Sequence, residues 1–239
     1  MERYNRQIIL PEIGEEGQRK IAQASVLVVG VGGLGNLVCS YLIAAGIGKL
    51  TMIDADTVSI HNLQRQILYR ESQVGKSKAL EAKNSLHDLN SHVEIIAYDE
   101  YFNEKNAAEI VKDADIVIDA TDNFKTRYLI NDVCVKLGKP FIYGAIAEYC
   151  GQLAVFNYDQ GATYRCLYPD EEEMIASQKK VVGVMGILPG TIACLQVNEA
   201  FKLITGYGEL SNDKLFQIDL RTNQTFILDI PAVTDNRQL

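Results

Sequence analysis

The sequence predicts an α/β fold: a mostly parallel sheet with helices on both faces, and antiparallel strands added in the C-terminal part. From Ser25 to Tyr143, short β-branched runs alternate with helical segments, which is typical of strands joined by helical crossovers. After Gly144 the alternation stops, and strand-like runs flank one long apolar helix. At 239 residues, the chain suits one large domain.

The elements follow in order along the chain. We expect strands at 25–29, 50–53, 93–97, 115–119 and 141–143, with helices at 34–45, 76–89, 103–111 and 125–137. Asn103 is the expected N-cap of the third helix. The second half predicts strands at 152–156, 214–219 and 225–229, and a helix at 187–205. Residues 159–180 are polar and irregular, and their acidic run at 170–173 is interpreted as solvated surface.

Composition and charge restrict the function classes. The net charge of −8 argues against sequence-independent binding to nucleic acid, which depends on Lys and Arg. No apolar run reaches the roughly 20 residues of a membrane span, and the N-terminus does not read as a signal peptide, so we expect a cytoplasmic protein. The five cysteines form no CxxC pair, which favours reduced thiols. Cys39, Cys134 and Cys194 are interpreted as buried small hydrophobes.

A glycine-rich loop follows the first predicted strand and opens a helix. Its pattern GxGxxG contains Gly30, Gly32, Gly33 and Gly35. Such glycines allow a tight turn and let backbone N–H groups approach phosphate at the helix N-terminus. Asp54 ends the next strand, where an acidic residue accepts from a ribose hydroxyl. The pattern predicts nucleotide binding on a Rossmann-like fold but does not distinguish NAD from ATP.

The next segment favours ATP. Asp56 and Asn62 precede Arg65, and Lys78 opens the following helix. Two cations beside a glycine loop can neutralise a triphosphate and stabilise the charge on departing pyrophosphate. A dehydrogenase has no obvious use for them. The alternative is that each cation is an ordinary surface residue.

Asp122 follows the fourth predicted strand. A carboxylate at the C-terminal end of a strand, beside the nucleotide loop, can hold a Mg²⁺ ion that bridges phosphate oxygens. The alternative is that Asp122 or Asn123 only caps the following helix. Both interpretations remain open at this point.

The motifs together resemble the ThiF/MoeB/HesA family, which is similar to the adenylation domain of ubiquitin-activating enzymes. The similarity spans nearly the whole chain, in order. It is carried by the segments at 3–7, 30–35, 54–56, 62–66, 75–78, 121–123, 164–169, 183–190 and 198–202.

The resemblance implies a reaction and a partner. The C-terminal glycine carboxylate of a ubiquitin-like sulfur carrier, ThiS- or MoaD-like, attacks the α-phosphate of ATP, and a sulfur donor later converts the adenylate to a thiocarboxylate. Asp54 would bind ribose, Asn62, Arg65 and Lys78 would contact the phosphates, and Asp122 would organise Mg²⁺. A carboxylate is ionised at pH 7, so no histidine has to be catalytic; His61, His87 and His92 are expected at the surface.

The family also implies a symmetric homodimer in which Arg6 reaches the partner's site. The alternative for Arg6 is an N-terminal helix residue paired with Glu12 or Glu15. We expect one adenylation domain, 1–239, with a nucleotide-binding half at 1–145 and a carrier-binding and dimerisation half at 146–239. The segment 165–170 is slightly more similar to the thiamine branch than to the molybdenum-cofactor branch.

The sequence departs from the family at two places. Many relatives hold zinc with two CxxC pairs; here only Cys166 remains of the first pair and 231–239 lacks the second, so zinc is not expected. Relatives with a catalytic cysteine carry it before the Gly183 motif, where this chain has 177–180 with no cysteine. Cys166 is then a candidate surrogate nucleophile. The loop 168–182 is expected to cross the mouth of the site.

Two other function classes were weighed. The first is an NAD(P)-dependent oxidoreductase, which the pair Arg65 and Lys78 argues against. The second is a non-catalytic module that docks a ubiquitin-like partner, which the joint presence of the same two cations with Asp54 and Asp122 argues against.

Overall fold

The structure, a computed structural model, describes residues 2–178 and 183–233. The part described contains eight strands: Ser25–Val29 (β1), Lys49–Ile53 (β2), Glu94–Tyr98 (β3), Ile116–Asp119 (β4), Phe141–Ala147 (β5), Cys150–Phe156 (β6), Lys214–Asp219 (β7) and Gln224–Asp229 (β8). It also contains nine α-helices: Asn5–Ile8 (α1), Gly14–Ile21 (α2), Gly35–Ala45 (α3), Lys78–Leu89 (α4), Ala107–Val111 (α5), Phe124–Leu137 (α6), Tyr164–Leu167 (α7), Glu171–Ser177 (α8) and Ile187–Thr205 (α9).

All eight strands belong to one sheet, in the order β3-β2-β1-β4-β5-β6-β7-β8. The first five strands are parallel, and β6, β7 and β8 join antiparallel to the β5 side. The predicted fold class is confirmed, including the added antiparallel strands. β1 lies between β2 and β4, so the order in which successive strands are added reverses at β1. Ligands on such sheets bind at the C-terminal ends of the strands, at this point of reversal.

Helices cover both faces of the sheet, as the sequence predicted. Val26 and Val28 point to one hydrophobic cluster, which α3, α4 and α9 complete. Leu27 and Val29 point to a second cluster, completed mainly by α5 and α6. This alternation follows from the period of two in a strand, and it makes every residue of the run apolar when both faces are covered.

One predicted helix starts in the wrong place. The segment from Asn103 was expected to be helical with Asn103 as its N-cap, but the helix is Ala107–Val111. The side chain of Asn103 accepts a hydrogen bond from the backbone N–H of Lys105 at 2.9 Å, and its carbonyl accepts from Ala107. Asparagine readily bonds to nearby backbone, and here it forms a turn that precedes the helix.

The segment predicted to be irregular contains two short helices, α7 and α8. The acidic run begins α8: the side chain of Asp170 accepts from the backbone N–H of Glu173 at 2.9 Å, and three glutamates occupy the first turn. Negative charge at a helix N-terminus is favourable, so the run forms a helix start as well as exposed surface. Residues 179–182 of the predicted loop, and 234–239 near the chain end, lie outside the described residues.

The predicted burial is confirmed for two of the three cysteines, and the predicted surface position is confirmed for the three histidines. Cys39 and Cys134 are buried, and the three histidines are exposed. The prediction for Cys194 was wrong, because it lies on an exposed side of α9. Among the helices that the structure describes, none combines the length and hydropathy needed to cross a membrane.

Candidate functional site

The glycine loop between β1 and α3 contains two kinds of glycine. Gly30 has a φ of +91°, and a Cβ added to it would lie 2.8 Å from the carbonyl oxygen of Ala120. A Cβ on Gly35 would overlap the carbonyl oxygen of Gly30. At Gly32 and Gly33, the nearest atoms would lie 3.5 Å from an added Cβ, an ordinary contact. The protein's own packing therefore requires glycine at Gly30 and Gly35, but not at Gly32 and Gly33.

Asp54, the residue after β2, is hydrogen-bonded to the glycine loop. One carboxylate oxygen accepts from the backbone N–H of Val31 at 2.7 Å, and the other accepts from that of Asp56 at 2.8 Å. Burial raises the pKa of the Asp54 carboxyl, and the hydrogen bond from Val31 opposes that shift. The carboxylate thus lies directly beside the loop, where it can also accept from a sugar hydroxyl.

Lys78 begins α4, and its ammonium group lies beside Asp56. The Lys78 Nζ to Asp56 Oδ2 distance is 2.9 Å; the lysine side chain is 6% exposed and that of the aspartate 63%. The Tyr69 hydroxyl donates to the carbonyl oxygens of Val31 and Lys78, at 2.8 and 3.3 Å. Tyr69 therefore ties the start of α4 to the glycine loop, although no sequence motif singles it out.

Arg65 extends along the glycine loop. Its Cδ lies 3.7 Å from the position of a Cβ on Gly33, and its Nη1 donates to the carbonyl oxygen of His61 at 3.3 Å. Arg65 forms no ion pair with any described residue. Asn62 is buried, and its carbonyl accepts from the backbone N–H of Arg65 at 3.0 Å. No carboxylate in the described part of the chain therefore neutralises the guanidinium charge.

Asn36, buried in the first turn of α3, connects the glycine loop to the Arg65 segment. Its Nδ2 donates to the carbonyl oxygens of Gly32 and Gly33 at 2.7 and 2.8 Å, and to that of Arg65 at 3.4 Å. Its Oδ1 accepts from the backbone N–H of Leu68 at 3.4 Å. The sequence analysis missed this residue. The available signal was a lone amide in the first turn of an otherwise apolar helix.

The turn after β4 carries Asp122 and lies against the loop, because a Cβ on Gly30 would be 3.5 Å from the backbone nitrogen of Thr121. Asn123 is the N-cap of α6: its side chain accepts from the backbone N–H of Thr126 at 2.9 Å. Asp122 is exposed, and its carboxylate has no hydrogen bond or ion pair with the described residues. The capping alternative therefore applies to Asn123 and leaves the Asp122 carboxylate without a partner among the described residues.

A buried ion pair between Asp119 and Arg127 holds the turn after β4 from the side of the protein core. Asp119 is fully buried, and its Oδ1 accepts from the backbone N–H and the hydroxyl of Thr121, at 2.9 and 2.6 Å. Its Oδ2 lies 3.4 Å from Nε of Arg127, whose Nη2 donates to the carbonyl oxygen of Thr121 at 2.9 Å. Burial raises the pKa of Asp119, and Arg127 opposes the rise. Sequence reasoning missed the pair because both residues resembled ordinary strand and helix positions.

Arg6 lies far from these residues in its own chain. The adjacent Gln7 donates from Nε2 to the carbonyl oxygen of Ala45, at the C-terminal end of α3, at 3.2 Å. The glycine loop is at the other end of that helix, about 16 Å away at 1.5 Å per residue. Arg6 is exposed and forms no ion pair with described residues, so the predicted alternative of pairing with Glu12 or Glu15 was wrong.

The structure thus brings together Gly30 to Gly35, Asp54, Asp56, Asn62, Arg65 and Lys78, and sets the Asp122 turn beside them. It does not bring Arg6 to them within one chain. Cys166 is partly buried in α7, and its Sγ accepts from the backbone N–H groups of Thr163 and Val233 at 3.4 Å. Within the described ranges, no cluster of three or more His, Cys, Asp or Glu side chains could hold a metal ion.

A mostly parallel sheet with a glycine loop, an aspartate after the next strand and a nearby arginine without an ion pair among the described residues is typical of nucleotide-binding α/β proteins. The model of the ThiF family matches residues 4–238, and the chain belongs to that family. The resemblance inferred from the motifs is confirmed.

Individual relatives agree with this assignment. The chain is 45% identical over 208 residues to "Adenylyltransferase and sulfurtransferase MOCS3-1" of Zea mays, covering 87% of the chain and 44% of that relative. It is 45% identical over 215 residues to "Sulfur carrier protein adenylyltransferase" of Thermus thermophilus, covering 87% of the chain and 79% of that relative. The chain therefore spans less than half the length of the maize protein.

Solved structures of E. coli MccB share the fold. The crystal structure of MccB with ATP has a TM-score of 0.82 and 26% identity, over 91% of this chain and 66% of that one. The structure with AMPCPP and MccA has a TM-score of 0.86 and 26% identity, over 97% of this chain and 72% of that one.

Proposed function

We propose that the protein uses ATP to adenylylate the C-terminal glycine carboxylate of a ubiquitin-like sulfur carrier. A carboxylate oxygen bonds to the α-phosphorus, the bond between that phosphorus and the α–β bridging oxygen breaks, and pyrophosphate leaves with the electron pair. The maize and Thermus relatives are both named as adenylyltransferases, and the name of the Thermus relative specifies a sulfur carrier protein. Thiocarboxylate formation then requires a separate sulfur donor.

One observation carries this proposal. Lys78 and Arg65, which has no ion pair within the described ranges, lie beside a glycine loop in which packing does not require glycine at Gly32 and Gly33. Fixed cations at that place match the charge of a triphosphate and of departing pyrophosphate, and a reaction with an ionised carboxylate needs no general base. A nicotinamide cofactor has no triphosphate for these charges, which disfavours an oxidoreductase.

The roles proposed for the site residues follow the geometry. Asp54 accepts from the ribose while Val31 orients its carboxylate, and Asn62, Arg65 and Lys78 contact the phosphates. Asp56 orients the ammonium group of Lys78. Asp122 suits Mg²⁺, because an exposed carboxylate plus phosphate oxygens is the usual ligand set of this ion. When bound, Mg²⁺ would neutralise charge on the phosphates.

We further propose the domain division and the assembly expected from the family. Residues 1–145 form the nucleotide-binding half, and 146–239 the carrier-binding and dimerisation half. The boundary lies within β5, so the two halves share one continuous sheet. In a homodimer, Arg6 would act in the partner's site, because about 16 Å of helix separates it from its own glycine loop. The carrier is ThiS- or MoaD-like, with the thiamine branch slightly favoured.

The test is carrier-dependent exchange of labelled pyrophosphate into ATP, with one ThiS-like and one MoaD-like carrier. Lys78→Ala or Asp122→Ala should lower the exchange rate by about 10²-fold, the usual loss for one preorganised charge contact. Lys83→Ala, on an exposed side of α4, is the matched control and should retain full exchange. Near-normal exchange in either site variant removes that residue from its role. No exchange with either carrier overturns the proposed function.

A further inference from the structure

The side chain of Gln178, the residue after α8, is hydrogen-bonded to the turn that carries Asp122. Its Oε1 accepts from the backbone N–H of Phe124 at 3.0 Å, and its Nε2 donates to the carbonyl oxygen of Asp122 at 3.4 Å. The carboxamide thus bonds to the backbone on both sides of Asn123. Gln178 belongs to the loop 168–182 that the sequence predicts at the mouth of the site, but none of the roles proposed above is assigned to it.

Several other groups of this turn have partners in the protein core. The N–H, hydroxyl and carbonyl oxygen of Thr121 bond to Asp119 and Arg127, and the Asn123 side chain caps α6. Gln178 bonds to two further backbone groups of the turn, the carbonyl oxygen of Asp122 and the N–H of Phe124. The turn is held on the core side by the Asp119–Arg127 pair and on the solvent side by the exposed carboxamide of Gln178.

Gln178 is itself attached to a fixed helix. Arg165 donates to both carboxylate oxygens of Asp132 on α6, at 2.8 and 2.7 Å, and to Glu171 at the start of α8, at 2.8 Å. Its guanidinium lies 4.8 Å from the ring centroid of Tyr128. A planar guanidinium held by two carboxylates on different helices fixes α8 against α6. Gln178 consequently reaches the turn from a supported position.

We propose that Gln178 is a positioning residue that fixes the Asp122 turn, so that the carboxylate faces the Mg²⁺ of the bound nucleotide. The inference rests on the metal role proposed for Asp122. Gln178 restrains the backbone between Asp122 and Phe124, and this restraint narrows the directions in which the exposed carboxylate can point. Its effect is therefore on the response to Mg²⁺ more than on nucleotide binding without metal.

The test uses Gln178→Met, which keeps the side-chain length but lacks both polar groups, with Ser177→Ala as the matched control. Ser177 is adjacent and exposed, and its hydroxyl donates only to the carbonyl oxygen of Met174. The first readout is amide hydrogen exchange of the 122–126 segment. It should become faster in Gln178→Met and stay unchanged in Ser177→Ala, because the N–H of Phe124 loses its acceptor.

The second readout is the Mg²⁺ concentration that gives half-maximal pyrophosphate exchange. It should rise at least about fivefold in Gln178→Met, because two hydrogen bonds are lost and one ordinary hydrogen bond corresponds to about that factor; the rate at saturating Mg²⁺ should be nearly kept. In the Asp122→Ala background, Gln178→Met should have no further effect.

Unchanged hydrogen exchange in Gln178→Met would overturn the contact itself. Faster hydrogen exchange with an unchanged Mg²⁺ response would overturn the positioning role while leaving the proposed adenylylation intact. If Asp122→Ala also leaves the Mg²⁺ response unchanged, the metal role of Asp122 fails, and the positioning role fails with it. Hydrogen exchange reports on the contact in every case, so the two failures are distinguishable.

Discussion

At the scale of single residues, the glycine loop combines two requirements that its sequence pattern does not separate. Gly30 and Gly35 are needed because backbone atoms approach them too closely for a side chain. Gly32 and Gly33 have space, and their carbonyl oxygens are held by Asn36. A loop of fixed shape with two bare backbone positions is suited to close approach by phosphate.

This difference predicts that alanine substitutions at Gly32 and Gly35 affect different properties, ATP binding in the first case and stability in the second. Gly32→Ala should unfold at the same urea midpoint as the unmodified protein but bind ATP at least about tenfold more weakly, since a methyl group occupies phosphate space. Gly35→Ala should lower the unfolding midpoint, because its Cβ overlaps the carbonyl oxygen of Gly30. Urea titrations and calorimetric ATP binding check both. Strong ATP binding by folded Gly32→Ala would contradict the assignment of this loop to phosphate.

The raised pKa of Asp54 predicts a pH dependence. The carboxylate must be ionised to accept from both Val31 and a ribose hydroxyl, and burial favours its protonated form. ATP affinity should therefore fall as the pH falls through this raised pKa, at a higher pH than for an ordinary aspartate. Asp54→Asn cannot titrate here, so its weaker affinity should lack that component of the pH profile. Identical profiles would exclude Asp54 from ribose binding.

At the scale of elements, the turn between β4 and α6 depends on contacts that no local pattern contains. The sequence predicted both elements and identified Asp122, because strand ends and helix caps are local signals. It did not reveal the pairing of Asp119 with Arg127, since pairing depends on how the strand and the helix pack. Asn36 and Tyr69 were missed for the same reason: their partners are distant in sequence or are backbone carbonyl groups.

Breaking this buried pair should be costly. Arg127→Met should lower the free energy of unfolding by about 3–5 kcal/mol, because Asp119 is left as an uncompensated buried charge. Asp119→Asn combined with Arg127→Met should cost less than the sum of the two single changes, since both charges are then removed. Urea unfolding measures all three variants. Strict additivity would show that the two side chains do not stabilise one another.

At the scale of the whole molecule, hydrophobic periodicity was sufficient to predict the sheet. Five apolar runs became the parallel strands because helices cover both faces, and the change of pattern after Gly144 marked the antiparallel strands. Helix starts in polar segments were less predictable. Asn103 formed a turn and Asp170 capped a helix, because the same kind of side-chain bond to nearby backbone N–H groups serves both structures.

The position of Arg6 predicts activity shared between subunits. Arg6→Ala and Asp122→Ala proteins should each be nearly inactive in pyrophosphate exchange. A mixed dimer, however, contains one site with both residues, so an equal mixture should recover about a quarter of the unmodified activity. Mixing two preparations of Arg6→Ala is the control. No recovery after confirmed subunit exchange would show that Arg6 does not act in the partner's site.

The central claim is that the glycine-loop site transfers an adenylyl group to a partner's C-terminal carboxylate. Intact-mass spectrometry of a ThiS-like or MoaD-like carrier, incubated with the protein, ATP and Mg²⁺, tests it most directly. We predict that the carrier gains the mass of one adenylyl group, and that a carrier with an amidated C-terminus gains none. A protein that binds ATP with Mg²⁺ but leaves both carriers unmodified, or that labels the amidated carrier equally, would contradict the claim.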